Sequence, residues 1–259
     1  MGSPASPLES ALRRDRAVLA LVLIAIPALC WTWIVAMARD MDGPMTGASA
    51  WMMSVDWDAR RVVLLWAMWA VMMAGMMLPS AAPVILLYAR AARARPEVGG
   101  AGMRIHALAF GYLLVWALFS AAATWLQRVL STRLLLTPMM EPAVPAAAAA
   151  VLLVAGLYQL TPFKQVCLRS CRAPIAFMTE HWQPGVAGAV RMGVVHGLYC
   201  LGCCWALMLV LFAGGVMNLT VIVALTVWVL VEKLAPFGEQ SARVGGALLV
   251  GVAVWMLVR

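Results

Sequence analysis

Residues 62–88 read VVLLWAMWAVMMAGMMLPSAAPVILLY, a run of 27 residues without a single Asp, Glu, Lys or Arg. A bilayer core about 30 Å thick is crossed by roughly 20 helical residues. A helix satisfies its own backbone hydrogen bonds, so it is the form in which such a run can lie in lipid. The run is long enough to tilt or kink. Pro79 and Pro83 supply the cause, because proline removes a helical N–H and crowds the preceding turn.

The chain on either side repeats this pattern. Apolar blocks predict further helices over about Ala17–Ala38, Ile105–Leu126, Val144–Leu160, Arg191–Phe212, Asn218–Leu234 and Ala242–Val258. The apolar run of the last is short. Hydrophobic residues make up 64% of the 259 residues and charged residues 12%, against about 25% charged in a soluble domain. A soluble chain of that make-up would need a core larger than its surface could enclose. The expected fold is all-α: a polytopic transmembrane bundle of about seven helices. It forms one domain over 17–259 behind a basic tail, 1–16.

Orientation follows from the basic residues. Arg13, Arg14 and Arg16 precede the first helix. Arg90, Arg93, Arg95 and Arg104 lie between the second and third, and Lys164, Arg169, Arg172 and Arg191 between the fourth and fifth. Lys233 and Arg243 flank the last connection, so 13 of the 19 basic residues fall on one side. The positive-inside rule makes that side cytoplasmic, with the N-terminus inside and the C-terminus outside. The net charge of +8 is thereby accounted for without nucleic-acid binding. One alternative concerns the start: a basic lead, an apolar run and Ala36-Met37-Ala38 also resemble a secretory signal with its cleavage site. Cleavage there would leave six helices in the same topology.

No internal repeat, phosphate-binding loop or dinucleotide fingerprint is present, so no nucleotide cofactor and no primary transport driven by ATP are expected. No catalytic residue stands out. Gly193 and Gly197 form a small-xxx-small pair, which marks close helix packing.

The cysteines carry the chemistry. Cys30 stands alone and reads as a small buried hydrophobe. Cys167, Cys171, Cys200, Cys203 and Cys204 fall within 38 residues. At about 100° per residue, taking Cys200 as zero, Cys203 lies near 300°, Cys204 near 40°, His196 near 320° and Met208 near 80°. Thiolate, imidazole and thioether on one stripe suit a thiophilic ion, Cu(I) ahead of Zn. The plain alternative is that small cysteines pack against neighbouring helices. The group lies roughly 15 Å into its helix, near the midplane, where a thiolate needs a compensating cation.

Helix two offers thioether partners. Met68, Met72 and Met76 recur every fourth residue, flanked by Met73 and Met77, though a methionine stripe is ordinarily core. Cys167 and Cys171 sit one helical turn apart among Lys164, Arg169 and Arg172 in a predicted cytoplasmic loop. There thiols stay reduced, and nearby cations favour thiolate. That pair reads as a metal-transfer or redox pair, or as incidental to a basic helix on anionic lipid. His106, Tyr158, Gln159, Lys164, Glu232 and Lys233 stand at the cytoplasmic helix ends. They read as supporting polar residues or as interfacial side chains that snorkel.

These segments carry a resemblance. The Met72–Pro83 stretch, Tyr158–Lys164 running on to Cys167 and Cys171-Arg172-Ala173-Pro174, the block Gly197–Met208 and Glu232-Lys233 together resemble the bacterial family of predicted metal-binding integral membrane proteins, long classed as a domain of unknown function. The resemblance covers about Val62 to Leu257. It implies a multi-pass inner-membrane protein that handles a metal.

The leading expectation is a membrane protein binding copper through Cys200, Cys203 and Cys204, with His196 as a further ligand and Met72 and Met76 as thioether donors. Cys167 and Cys171 form the transfer pair. Metal transport, sensing and metalloenzyme assembly all fit. The partners would be membrane lipid and a metallochaperone or metalloenzyme, with oligomerisation left open. Two rivals stand beside it. One is a thiol-redox relay through Cys167/Cys171 and Cys200/Cys203. The other is a structural subunit of a larger membrane complex.

Overall fold

The computed structural model describes residues 17–258 apart from 42, 44, 46–47, 54–56, 96–99 and 138–139. The basic tail with Arg13, Arg14 and Arg16 lies outside the described residues. Within them the chain is all-helical, and one isolated β-bridge joins Leu136 to Pro142.

Each apolar block forms a helix. The elements are α1 (Ala17–Met41, π-helical over Leu21–Ala25), the short α2 (Ala48–Met52), α3 (Ala59–Met77), α4 (Ala82–Ala94) and α5 (Gly100–Thr132). They continue as α6 (Pro145–Gln159), α7 (Pro162–Arg172), α8 (Pro174–His181), α9 (Gly185–Gly214), α10 (Leu219–Leu234) and α11 (Gly238–Val258). Five stretches are long and apolar enough to cross a membrane: α1, α3 with α4, α5, α9 and α11. Many of their large apolar side chains face outward, among them Phe110, Leu118, Trp125, Leu248 and Val252. That is the arrangement expected where the surroundings are lipid rather than water.

Two of the expected spans depart from simple crossings. The fourth is broken: α6 and α7 meet at 65°. Pro162 cannot donate a backbone bond and disfavours a helical Thr161. Thr161 accordingly takes an extended ψ of 148° and caps the new helix by accepting from the Lys164 N–H. The other is α10, whose 16 residues span about 24 Å, short of a 30 Å hydrocarbon core. Tyr158, at the end of α6, donates to the Gly202 carbonyl halfway along α9. Thus α6 stops at mid-bundle, and α7 turns inward along the space beyond it.

Helix α9 is the axis of the bundle and packs most extensively on α5. Glycines permit the approach: a Cβ on Gly193 would collide with the Leu108 carbonyl, and one on Gly111 with that of Val190. At α6 and α11 the same device recurs, where a Cβ on Gly156 would lie 2.8 Å from the Gly246 carbonyl.

The basic connections gather at one end. Arg95 stacks on Trp182 at 4.4 Å. Arg104 caps α4 through the carbonyls of Ala92 and Arg95 at 2.7 and 2.8 Å. Arg172 donates to the carbonyls of Glu232 and Pro236 at 2.6 and 3.0 Å. The loops that the charge pattern assigned to one side therefore share one end of the molecule.

Candidate metal centre

Glu232 and Lys233 are the first correction. They were expected at an interface; instead both are buried, with Glu232 0% exposed. Glu232 accepts from Lys164 at 2.6 Å through one carboxylate oxygen, and from Gln159 and Trp228 at 2.7 Å each through the other. Lys164 is likewise fully buried. A buried ion pair persists only where geometry and further hydrogen bonds offset desolvation, and here both oxygens are satisfied. The box ties α6, α7 and α10 together at mid-bundle. His106, expected among these residues, is exposed and takes no part.

Lys233 points to the other side of α10, and its ammonium meets sulfur. Nζ lies 2.7 Å from Cys200 Sγ and 3.1 Å from Ser80 Oγ. The Tyr112 hydroxyl lies 3.0 Å from the same sulfur and 2.9 Å from the Met77 carbonyl, which it uses as an acceptor. Ser80 also donates to Met77, at 2.7 Å. Helices α10 and α5 thus meet the Cys200 sulfur of α9, and the Met77 carbonyl and Ser80 hydroxyl hold the two groups that reach it. Among the described residues Lys233 pairs with no carboxylate. Its natural counter-charge is a thiolate.

A second grouping sits one turn along α9. Cys203 Sγ lies 3.3 Å from Cys204 Sγ and 3.9 Å from Cys171 Sγ on α7. Cys167 packs against Gly202, where a Cβ would fall 2.7 Å from its sulfur. The five clustered cysteines are free and buried. The pair expected in a cytoplasmic loop is therefore not separate from the C-x-x-C-C helix: α7 lays it against that helix. The reason is the amphipathic pattern of α7, which buries Lys164, Gln165, Cys167, Leu168 and Cys171 and exposes Phe163, Val166 and Arg169.

His196 is buried between aromatic rings, 5.6 Å from Tyr112 and 5.2 Å from Phe177 by centroid. Its Nδ1 has no hydrogen-bond partner among the described residues, so in the tautomer protonated at Nε2 this nitrogen presents an unused lone pair. Met72, Met76 and Met208 are all fully buried. Among the described residues no group of three or more His, Cys, Asp or Glu side chains is gathered so as to hold a metal ion as it stands.

The donor chemistry can nevertheless be tested against a metal. Two sulfurs bound about 2.3 Å from one ion at a tetrahedral angle lie about 3.8 Å apart. The Cys171–Cys203 separation is 3.9 Å.

Tyr112, Ser80 and Trp228 did not stand out in the sequence. Tyr112 and Ser80 are hydroxyl residues within otherwise apolar stretches, and that is the signal that marks them. Trp228 carries none, because an indole in a membrane helix is ordinary.

A family model described as PpoB2, copper chaperone, matches residues 66–256. No curated protein and no solved structure matches the chain.

Proposed function

Because the chain belongs to the PpoB2 family of copper chaperones, we propose that it is a multi-pass inner-membrane protein that binds Cu(I) inside its helical bundle and passes it to a partner metalloprotein. The observation that carries this reading is the row of sulfurs Cys171, Cys203 and Cys204, drawn from two helices at 3.9 and 3.3 Å. Cys203, Cys204 and Cys200 are the primary ligands, and Cys171 joins them from α7. Cys167 lies behind it as a relay sulfur. His196 offers its unpartnered Nδ1, and Met72 and Met76 add thioether donors from α3. Copper is favoured over zinc because the thioether donors among them are soft ligands that suit Cu(I). The bundle has seven helices at membrane depth, counting α6 with α7 and the short α10, with the N-terminus in the cytoplasm.

The roles divide by position. Lys233 compensates the charge of Cys200 while metal is absent. The Glu232 box holds α10 and α7 so that Lys233 and Cys171 face α9. Tyr112 fixes Cys200 against α3.

The test is bound copper per chain after reconstitution with Cu(I) under reducing conditions. Near-stoichiometric copper is expected in the wild type and its loss in Cys171→Ser with Cys203→Ser, because a hydroxyl is a poor ligand for a soft ion. Met72→Leu with Met76→Leu, a volume-conserving change, should weaken Cu(I) and leave Zn untouched. Wild-type protein that stays copper-free sinks the reading.

The Cys171–Cys203 contact favours one second reading, a thiol relay. There the two thiols would exchange with a disulfide of a partner protein, so that the Cys171–Cys203 bond forms, the partner's S–S bond breaks, and the partner leaves with two thiols that carry the two electrons and two protons. A disulfide between them in cells, with no copper in the purified protein, would put the relay in first place.

A further inference from the structure

At the end opposite the basic loops, an open pocket of about 220 Å³ is lined by Met41, Met217, Glu141, Gly215, Asn218 and neighbouring residues of α1 and α10. Among the described residues no basic side chain lines it. Three separate parts of the chain build it, and they are fastened together. The Val216 N–H donates to the Met140 carbonyl at 3.3 Å. Gly215, at φ +89°, turns the chain out of α9, and a Cβ there would lie 3.6 Å from Glu141 Cγ. The Asn218 carboxamide is committed to capping α10 through the N–H groups of Thr220 and Val221. The side-chain donors that remain among the lining residues are the Met41 and Met217 thioethers, the Glu141 carboxylate and the Thr220 hydroxyl, of which only the thioethers are soft.

We propose that this pocket is a second Cu(I) site, with the Met41 and Met217 thioethers as ligands and Glu141 as counter-charge, where copper is exchanged at the far end of the bundle. The metal named here rests on the copper reading above; the site does not. A thioether has no proton to lose and forms no disulfide, so it stays a soft ligand where thiols would oxidise. The carboxylate neutralises a monovalent cation, which a purely apolar methionine core could not do. Fully buried methionines lead toward it from the thiols. Met77, whose carbonyl binds Tyr112 beside Cys200, begins a series through Met76, Met73 and Met72 to Met68. That series spans about 14 Å along α3. Met37 and Met41 on the adjoining α1 are buried as well.

Ag(I), a soft monovalent probe, separates this site from the thiols. In the full chain with all six cysteines changed to Ser, Lys233→Met, and the other proposed soft donors removed (His196→Phe, Met72→Leu and Met76→Leu), one Ag(I) should bind, and Met41→Leu with Met217→Leu should abolish it. Binding that is absent, or that persists in the methionine variant, overturns the proposal. If the cysteine-free chain does not fold, the methionine pair is changed in the otherwise native protein and titrated with Cu(I). The expected result is the loss of one equivalent with the ultraviolet thiolate–copper absorption kept. An unchanged stoichiometry overturns the site. Loss of the thiolate absorption in the native protein would instead count against the copper reading of the cysteines.

Discussion

The Lys233 ammonium lies 2.7 Å from the Cys200 sulfur, both groups are buried, and among the described residues neither pairs with a carboxylate. A lysine in such a place needs an anion, and the sulfur is the one on offer. The two residues should therefore be coupled in stability. Cys200→Ala leaves a buried cation without its partner, at a cost of about 3–5 kcal/mol. Lys233→Met removes the cation and keeps most of the stem, at under about 1.5 kcal/mol. The double variant should be milder than Cys200→Ala alone. Thermal unfolding in detergent of the four proteins measures the coupling; simple additivity would refute it.

Glu232 holds Lys164 and, through its neighbour in sequence, sets the direction of Lys233. Glu232→Gln keeps hydrogen bonding to Gln159 and Trp228 but strips Lys164 of its charge partner. The expected loss is about 3–5 kcal/mol, with recovery when Lys164→Met is added. Copper binding should fall with Glu232→Gln, because α7 and Cys171 lose their anchor. A variant as stable and as copper-competent as the native protein would remove the box from the account.

The fold class was legible because each apolar block is set by length and composition, and these survive any packing. The break at Thr161-Pro162 was written in the sequence, yet its 65° consequence was not. A proline says where a helix stops and nothing about where the next one points. The stripe of Cys200, Cys203 and Cys204 followed from helical periodicity alone. The approach of Cys171 to Cys203 spans 32 residues and depends on the turn of α7. Glu232 looked interfacial because it ends an apolar run. Its burial depends on Lys164, 68 residues away, bringing the compensating charge. His106 had the same kind of position and no such partner, and it stays at the surface.

The basic connections share one end, which ties their orientation together. A reporter fused after Arg95 should read cytoplasmic and one fused after Asn218 periplasmic. Arg95 stacks on Trp182 and Arg172 holds Pro236, so fusions in the other two basic connections must agree with the first. Opposite readings would move Cys171 toward an oxidising compartment and the methionine pocket to the cytoplasmic side.

Cys203 has a choice of partners, and the choice reports on α7. Cys200 is three residues away on the same helix, where the Cβ separation of about 3.8 Å that a disulfide wants is seldom reached without unwinding. Cys171 approaches from another helix at 3.9 Å between sulfurs. In a chain with Cys30, Cys167 and Cys204 changed to Ser, mild oxidation should therefore join Cys203 to Cys171. Peptide mapping after proteolysis identifies the bond. Prior loading with Cu(I) should protect both thiols, since a sulfur engaged with the metal is a poor nucleophile toward the oxidant. A Cys200–Cys203 product would mean that α7 does not dock on α9 as described. A Cys171–Cys203 product forming equally fast with and without copper would keep the geometry and move the weight of the evidence to the relay.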